Sequence, residues 1–389
     1  MIKFALRHNL IYPLQLLLWS NLREIERTLI SYFFGLNSLL IYTPLMFLGE
    51  FFAGAIFYLY QKKFLSRRKK GKSVGLMPIE FIRTKHKFTK DRDTKILFLI
   101  FTSAFSDFIQ FLVNLQLHKF MTISGSLEQR LRGSFTINNA FFYYYALKLP
   151  IFKHQFFSLT VIGICLFIII LTEFIFQEFN IFLTLGQFFL ALLLIFIIQY
   201  ASALEESIEK YLYEYNQLSP FLVLLLQGIF GLIFSLIYCY FHDPFKDIIQ
   251  FKNTKKNSEF IILIFTLVLY LILSGGKNLF RVVTTKIYSP MTTTFIEYML
   301  NPFYNIYYFA SGSDFISYGK LNVLYFIINL IISIITTFCG GVYNEFIILF
   351  FCKLEYETHG QIVKRARTET EFVLFNEGGE EEDEDLMSV

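Results

Sequence analysis

The chain has 389 residues, 55% of them hydrophobic and 19% aromatic, with only 17% charged and a formal net charge of +4. A water-soluble domain carries about 25% charged residues, and the roughly ten-residue alternation of an outer-membrane barrel is missing. Composition therefore excludes both classes and predicts an all-α polytopic membrane protein.

Residues 4–20 read as a weak first span, interrupted by Pro13 and closed by Arg23, Glu24, Glu26 and Arg27. Lys3, Arg7 and His8 ahead of it resemble the start of a signal peptide, but no small-residue cleavage site follows, so the segment is expected to stay as a helix. A clearer span covers 35–60, with Glu50 in its middle. The connection 61–95 then holds thirteen Lys and Arg against three acids, over a third of the 35 basic residues of the chain. The positive-inside rule makes it cytoplasmic, and with it the N-terminus. It contains no aromatic stacking motif, so orientation is a better reading than nucleic-acid binding.

Further spans are expected at 96–117, 121–149, 155–177, 181–203, 219–241, 258–282, 288–310 and 321–352, which makes ten. Both termini then lie in the cytoplasm, whereas 242–257, with four lysines, falls on the opposite side against the charge rule. The end, Glu377–Asp385, is too acidic to pack and reads as a solvated tail. Cys165, Cys239, Cys339 and Cys352 stand singly in apolar segments and read as inert thiols.

Against this background the polar residues inside spans stand out. A charge at bilayer depth costs roughly 2.5–3.5 kcal/mol on insertion scales and survives facing a protein interior or a wet cavity. Ser126–Ser134 carries Glu128, Gln129, Arg130 and Arg132 straight into the apolar run 135–149. Arg130 reads better as a headgroup anchor, and Arg132, deeper, as a group that holds something polar. Asp107 and Asn114 share a helix face by their spacing, as do Glu297 and Asn301. Glu205-Glu206, Asn278 and Arg281 add charges and amides on other helices, which suits a polar cavity between them. Gly275-Gly276 allows either local unwinding or close helix packing. The six histidines are scattered, and no metalloprotease, hydrolase or phosphate-loop motif is present, so neither enzyme activity nor a cofactor is expected.

These residues resemble the drug/metabolite transporter superfamily, and within it the F-type branch of solute carrier family 35, nucleotide-sugar-transporter-like proteins. The likeness is carried by Met46–Glu50, Asp107, Gln129-Arg-Leu-Arg-Gly133, Leu204-Glu-Glu206, Gly228–Gly231, Asn278, Thr285-Lys286 and Val342-Tyr-Asn344, in order over about 35–353. The resemblance implies ten helices in two inverted five-helix repeats, 1–178 and 179–353, followed by a tail at 354–389. It also implies secondary-active transport, by alternating access, of a polar small-molecule substrate, anionic or not, across the lipid bilayer of an endomembrane (Golgi or lysosome-like, with mitochondria open). A homodimer stays open and no nucleic-acid partner is implied. Asp107, Gln129, Arg132, Glu205, Asn278 and Arg281 are the expected substrate-binding residues, with Arg132 pairing an anionic group and Asp107 and Glu205 balancing charge or coupling protons. Thr293 and Leu300 stand where relatives carry arginines, and Arg281 where they carry a glycine, which leaves the substrate, and transport itself, open. The alternative is a membrane scaffold acting through its basic loop and acidic tail.

Overall fold

The computed structural model describes residues 2–4, 11–34, 41–69, 90–120, 125–148, 150–177, 185–242, 257–310 and 321–350, together with 354, 358 and 361. In chain order these form β1 (Ile2–Phe4), α1 (Ile11–Phe34), α2 (Tyr42–Lys69), α3 (Lys90–Phe120), α4 (Gly125–Arg130), α5 (Gly133–Tyr145) and α6 (Lys153–Gln177). There follow α7 (Leu185–Glu214), α8 (Pro220–Phe241), α9 (Asn257–Ile287), α10 (Pro290–Tyr298), α11 (Asn301–Ala310), α12 (Leu321–Tyr343) and β2 (Ile347–Leu349).

Among the described residues, seven helices (α2, α3, α6, α7, α8, α9 and α12) are long and apolar enough to cross a membrane. Their outward faces carry exposed apolar side chains such as Phe98, Phe167, Leu236 and Phe265. An exposed face of that kind has no place in water and is covered by lipid tails. The chain is a helical, polytopic, integral membrane protein.

Helices α2, α3 and α7 run beyond their expected ends, into the expected connection 61–95 and past 203, and four further segments differ in form. The first helix does not stop at its charges: α1 runs from Ile11 through Arg23, Glu24 and Glu26 to Phe34. Pro13 falls in its first turn, where a missing N–H costs no helical bond. Arg23 and Glu24 pair at 3.2 Å, and Glu26 is buried. Residues 2–4 are extended rather than helical and pair antiparallel with β2, Lys3 opposite Ile348. Accordingly the last helix ends at Tyr343, where Asn344 Nδ2 donates to the Gly340 carbonyl (2.9 Å), and Glu345 turns the chain at φ 59°.

The other two are breaks within expected spans. The segment 121–149 divides at Leu131-Arg132 into α4 and α5, with tight bonds from Ser134 N to Leu131 O (2.9 Å) and from Phe135 N to Arg132 O (3.0 Å). The segment 288–310 divides at Met299-Leu300 into α10 and α11. Pro302 accounts for this second break, since its ring clashes with the carbonyl four residues back and it has no N–H to give. Upstream, Ser289 caps α10 by accepting from Thr292 N at 3.1 Å.

Packing partners follow from where small residues permit close approach. The principal contacts are α2 with α8 and α9, α3 with α7 and α8, α1 with α9, and α6 with α12. At the α2–α9 crossing a Cβ on Gly49 would lie 2.5 Å from the Leu271 carbonyl oxygen, and one on Gly275 would lie 2.6 Å from Gly49 O. Helix α9 is continuous through Gly275-Gly276, so the glycines serve close packing rather than unwinding.

Arg130 is not a headgroup anchor. It is buried, and its guanidinium reaches Glu173 of α6 at 2.6 Å and the Tyr325 hydroxyl of α12, with its carbon 5.0 Å from the Tyr325 ring centre. Tyr325 in turn donates to Glu173 at 2.6 Å. This three-helix clamp ties α4 to the α6–α12 pair. Hydrogen bonds to charged groups contribute about 1.5–3 kcal/mol, so Tyr325→Phe is expected to destabilise the protein by that order, read as a lower melting temperature in detergent; an unchanged melting temperature would show that the clamp does not stabilise the bundle.

The segments 70–89 and 243–256, Cys352, the acidic tail 377–385 and the side chain of Glu297 lie outside the described residues.

Candidate functional site

A buried polar network forms where α2, α3, α7, α8 and α9 meet, and spacing along each helix explains its members. On α7, Glu205 and Glu209 are four apart and share a face, with Glu206 beside them toward α10. On α3, Ser103, Asp107 and Gln110 follow the same rule, as do Asn278 and Arg281 on α9. Helix α2 contributes Glu50 and α8 contributes Gln227.

Helix α9 is held in register from two sides. The Gly49–Gly275 contact sits just before Glu50 on α2 and Asn278 on α9, and Asn278 Nδ2 donates to Glu50 Oε1. At the other end buried Lys210 of α7 donates to the carbonyls of Thr285 (3.3 Å), Lys286 (3.4 Å) and Tyr288 (3.0 Å). A cation at a helix C-terminus meets the negative end of the macrodipole and the carbonyls left without helical donors. Lys210 also pairs with Glu214 at 2.7 Å. Between these two fixings lies Arg281.

The Arg281 guanidinium donates through Nη1 to Glu209 Oε2 (3.1 Å) and through Nη2 to Glu209 Oε1 (2.9 Å). Nη2 also lies 2.7 Å from Glu205 Oε1. Gln110 Nε2 donates to the other Glu205 oxygen at 2.8 Å. Gln227 Nε2 donates to Glu209 Oε1 (2.8 Å) and Ser103 Oγ (2.7 Å). The contacts therefore close a ring from α3 through α8 and α7 to Arg281 of α9, and back through Glu205 of α7 to α3. Thr293 Oγ1 donates to Glu206 Oε2 at 2.9 Å on the flank toward α10.

A guanidinium fork shared by two carboxylates is stable in a dry interior when its remaining lone pairs are satisfied, as the two glutamines do here. Glu50 and Asp107 stand within electrostatic range of this pair and of each other, and Lys277 acts on Asp107. Glu50 is buried and Asp107 is half-buried. Carboxyl groups outnumber cations in the cluster.

Of the residues expected from sequence, Asp107, Glu205, Asn278 and Arg281 come together here. Arg132 does not join them: it lies half-buried at the α4–α5 break, within electrostatic range of Tyr304 of α11, whose hydroxyl donates to Asn21 of α1 at 2.5 Å. The Gln129 side chain lies outside the described residues. The sequence marks Glu50 without assigning it to a site, and it gives no expectation for Ser103, Gln110, Glu209 or Gln227. The Glu205–Glu209 spacing was the available signal, and an expected helix end at 203 hid it.

No family model matches the chain and no curated protein matches it, so a functional reading rests on the chemistry of these side chains.

Proposed function

We propose that this chain is a secondary-active transporter that moves a small polar metabolite across an endomembrane by alternating access. The carrying observation is the buried ionic network, to which both halves contribute: Glu50, Ser103, Asp107 and Gln110 from the first, Glu205, Glu209, Gln227, Asn278 and Arg281 from the second. Ionisable groups gathered between helices at membrane depth mark solute or ion pathways.

The packing scheme supports two related halves. Taking α4–α5 and α10–α11 as one pass each gives ten passes. Exchanging every pass with the one five places on turns the α3–α7 contact into α9–α1, and the α2–α9 contact into α8–α3. The α2–α8 and α6–α12 contacts map onto themselves. The fourth and ninth passes, related by the same exchange, are the two broken ones. Broken helices in corresponding positions of two repeats accompany midplane binding sites in secondary transporters.

The test is counterflow exchange in proteoliposomes preloaded in turn with nucleotide sugars, nucleotides, organic anions and organic cations. Saturable exchange of one class is expected. Absence of exchange with every class, from protein that melts cooperatively, would leave the fold as a membrane scaffold.

A further inference from the structure

We propose that Glu50 and Asp107 form a binding site for a positively charged nitrogen, so that the solute carried is an organic cation. This deepens the transporter reading above and rests on it. The other acids of the network already have partners: Glu205 and Glu209 share Arg281, Glu205 Oε2 also takes Gln110, Glu209 Oε1 also takes Gln227, and Glu206 takes Thr293. Glu50 and Asp107 are different.

Glu50 is 1% exposed; its Oε1 accepts from Asn278, while Oε2 is buried with no hydrogen-bond partner among the described residues. Asp107 is half-buried and makes no hydrogen bond or ion pair among the described residues. It is less buried than the other acids of the network, and it stands within electrostatic range of Glu50. The charged groups facing the pair are Glu205 and Glu209 from α7, and Arg281 and Lys277 from α9. Arg281 is committed to the α7 glutamates, and Lys277 is the other cation near the pair.

A buried carboxyl is costly to ionise, and a second one beside it adds repulsion once both are charged. An arriving cation relieves both costs. An arriving phosphate or carboxylate would increase them, which makes an anionic solute a poor fit at this point of the molecule. Among the described residues no three His, Cys, Asp or Glu side chains converge closely enough to hold a metal ion. The arrangement suits a monovalent nitrogen centre, held by charge and by the Glu50 oxygen that has no other donor.

The experiment uses the full chain purified in detergent, and the same protein in proteoliposomes. Tetraethylammonium, choline and spermidine serve as cation probes, with uridine diphosphate glucose and citrate as anion probes. At least one cation is expected to raise the melting temperature and to exchange saturably, and neither anion to do so. Glu50→Gln and Asp107→Asn should each weaken that cation by about tenfold or more, while their melting temperatures without probe stay within a few degrees of wild type. Two variants on different helices keep the test informative if one of them folds poorly. Exchange of an anion, undiminished in both variants, would overturn the proposal and leave the transporter reading standing. Cation binding without exchange would keep the binding site and overturn the transporter reading, and with it the cation as a carried solute. A protein that no cation stabilises would also overturn the proposal.

Discussion

Arg281→Met is expected to cost about 3–5 kcal/mol, because it strands the Glu205 and Glu209 carboxylates in a dry interior with their shared cation gone. Both glutamates are buried and both lie within 3 Å of a guanidinium nitrogen (2.7 and 2.9 Å). The glutamines that bond them cannot replace the charge, since an amide donor offsets only part of the desolvation of an ionised carboxylate. The effect should appear as a large fall in melting temperature, or as loss of monodisperse protein on extraction. Adding Glu205→Gln and Glu209→Gln to Arg281→Met removes the stranded charges and should recover most of the loss. A single variant as stable as wild type would refute the buried network; a triple variant no better than the single one would point to lost packing instead of lost charge balance.

Enlarging Gly49 or Gly275 should be the next most damaging change. In each case the atom a new Cβ meets is backbone, at 2.5 Å for Gly49 and 2.6 Å for Gly275. Helices α2 and α9 must therefore separate, since no side chain can swing aside. Overpacking of this kind costs about 1–3 kcal/mol. The separation acts where Glu50 and Asn278 meet, so Gly275→Ala should lose any exchange activity together with stability. Gly186→Ala is the control: nothing lies within 4 Å of its Cβ position, and the melting temperature should hold or rise. Equal behaviour of Gly186→Ala and Gly275→Ala would show that the α2–α9 crossing is looser than described.

Polarity inside apolar segments was the legible part of the site. Asp107, Glu205, Asn278 and Arg281 could be found because each is costly in a bilayer and so needs a reason to be there. What they touch was not legible. Glu50 and Asn278 lie 228 positions apart in the chain, and only the crossing at two glycines brings them together. Glu209 was hidden by a boundary: hydropathy falls after 203, yet α7 continues to Glu214 because Lys210 is stabilised both by Glu214 and by the end of α9. Arg132 is the contrasting case. It lies in the most polar stretch of its segment, yet it stands at the α4–α5 break, within electrostatic range of Tyr304, and outside the network of Glu205. That break leaves little trace in sequence, because Gly133 is fixed by tertiary crowding, where a Cβ would approach Ile162 and Thr336 to 3.2 and 3.3 Å. The later break was easier to anticipate in principle, since Pro302 cannot continue a helix.

The strand pair between residues 2–4 and 347–349 has a consequence for biosynthesis. A ribosome delivers α1 long before α9, its main packing partner, and β2 arrives later still. During that interval Arg23, Glu24 and Glu26 have no completed bundle to shelter them, and closing so long a stretch of chain carries an entropic cost that grows with its length. Helix α1 is thus delivered well before the helix that secures it. Translation halted before α9 should leave α1 open to protease or to a membrane-impermeant label, and release of the full chain should protect it.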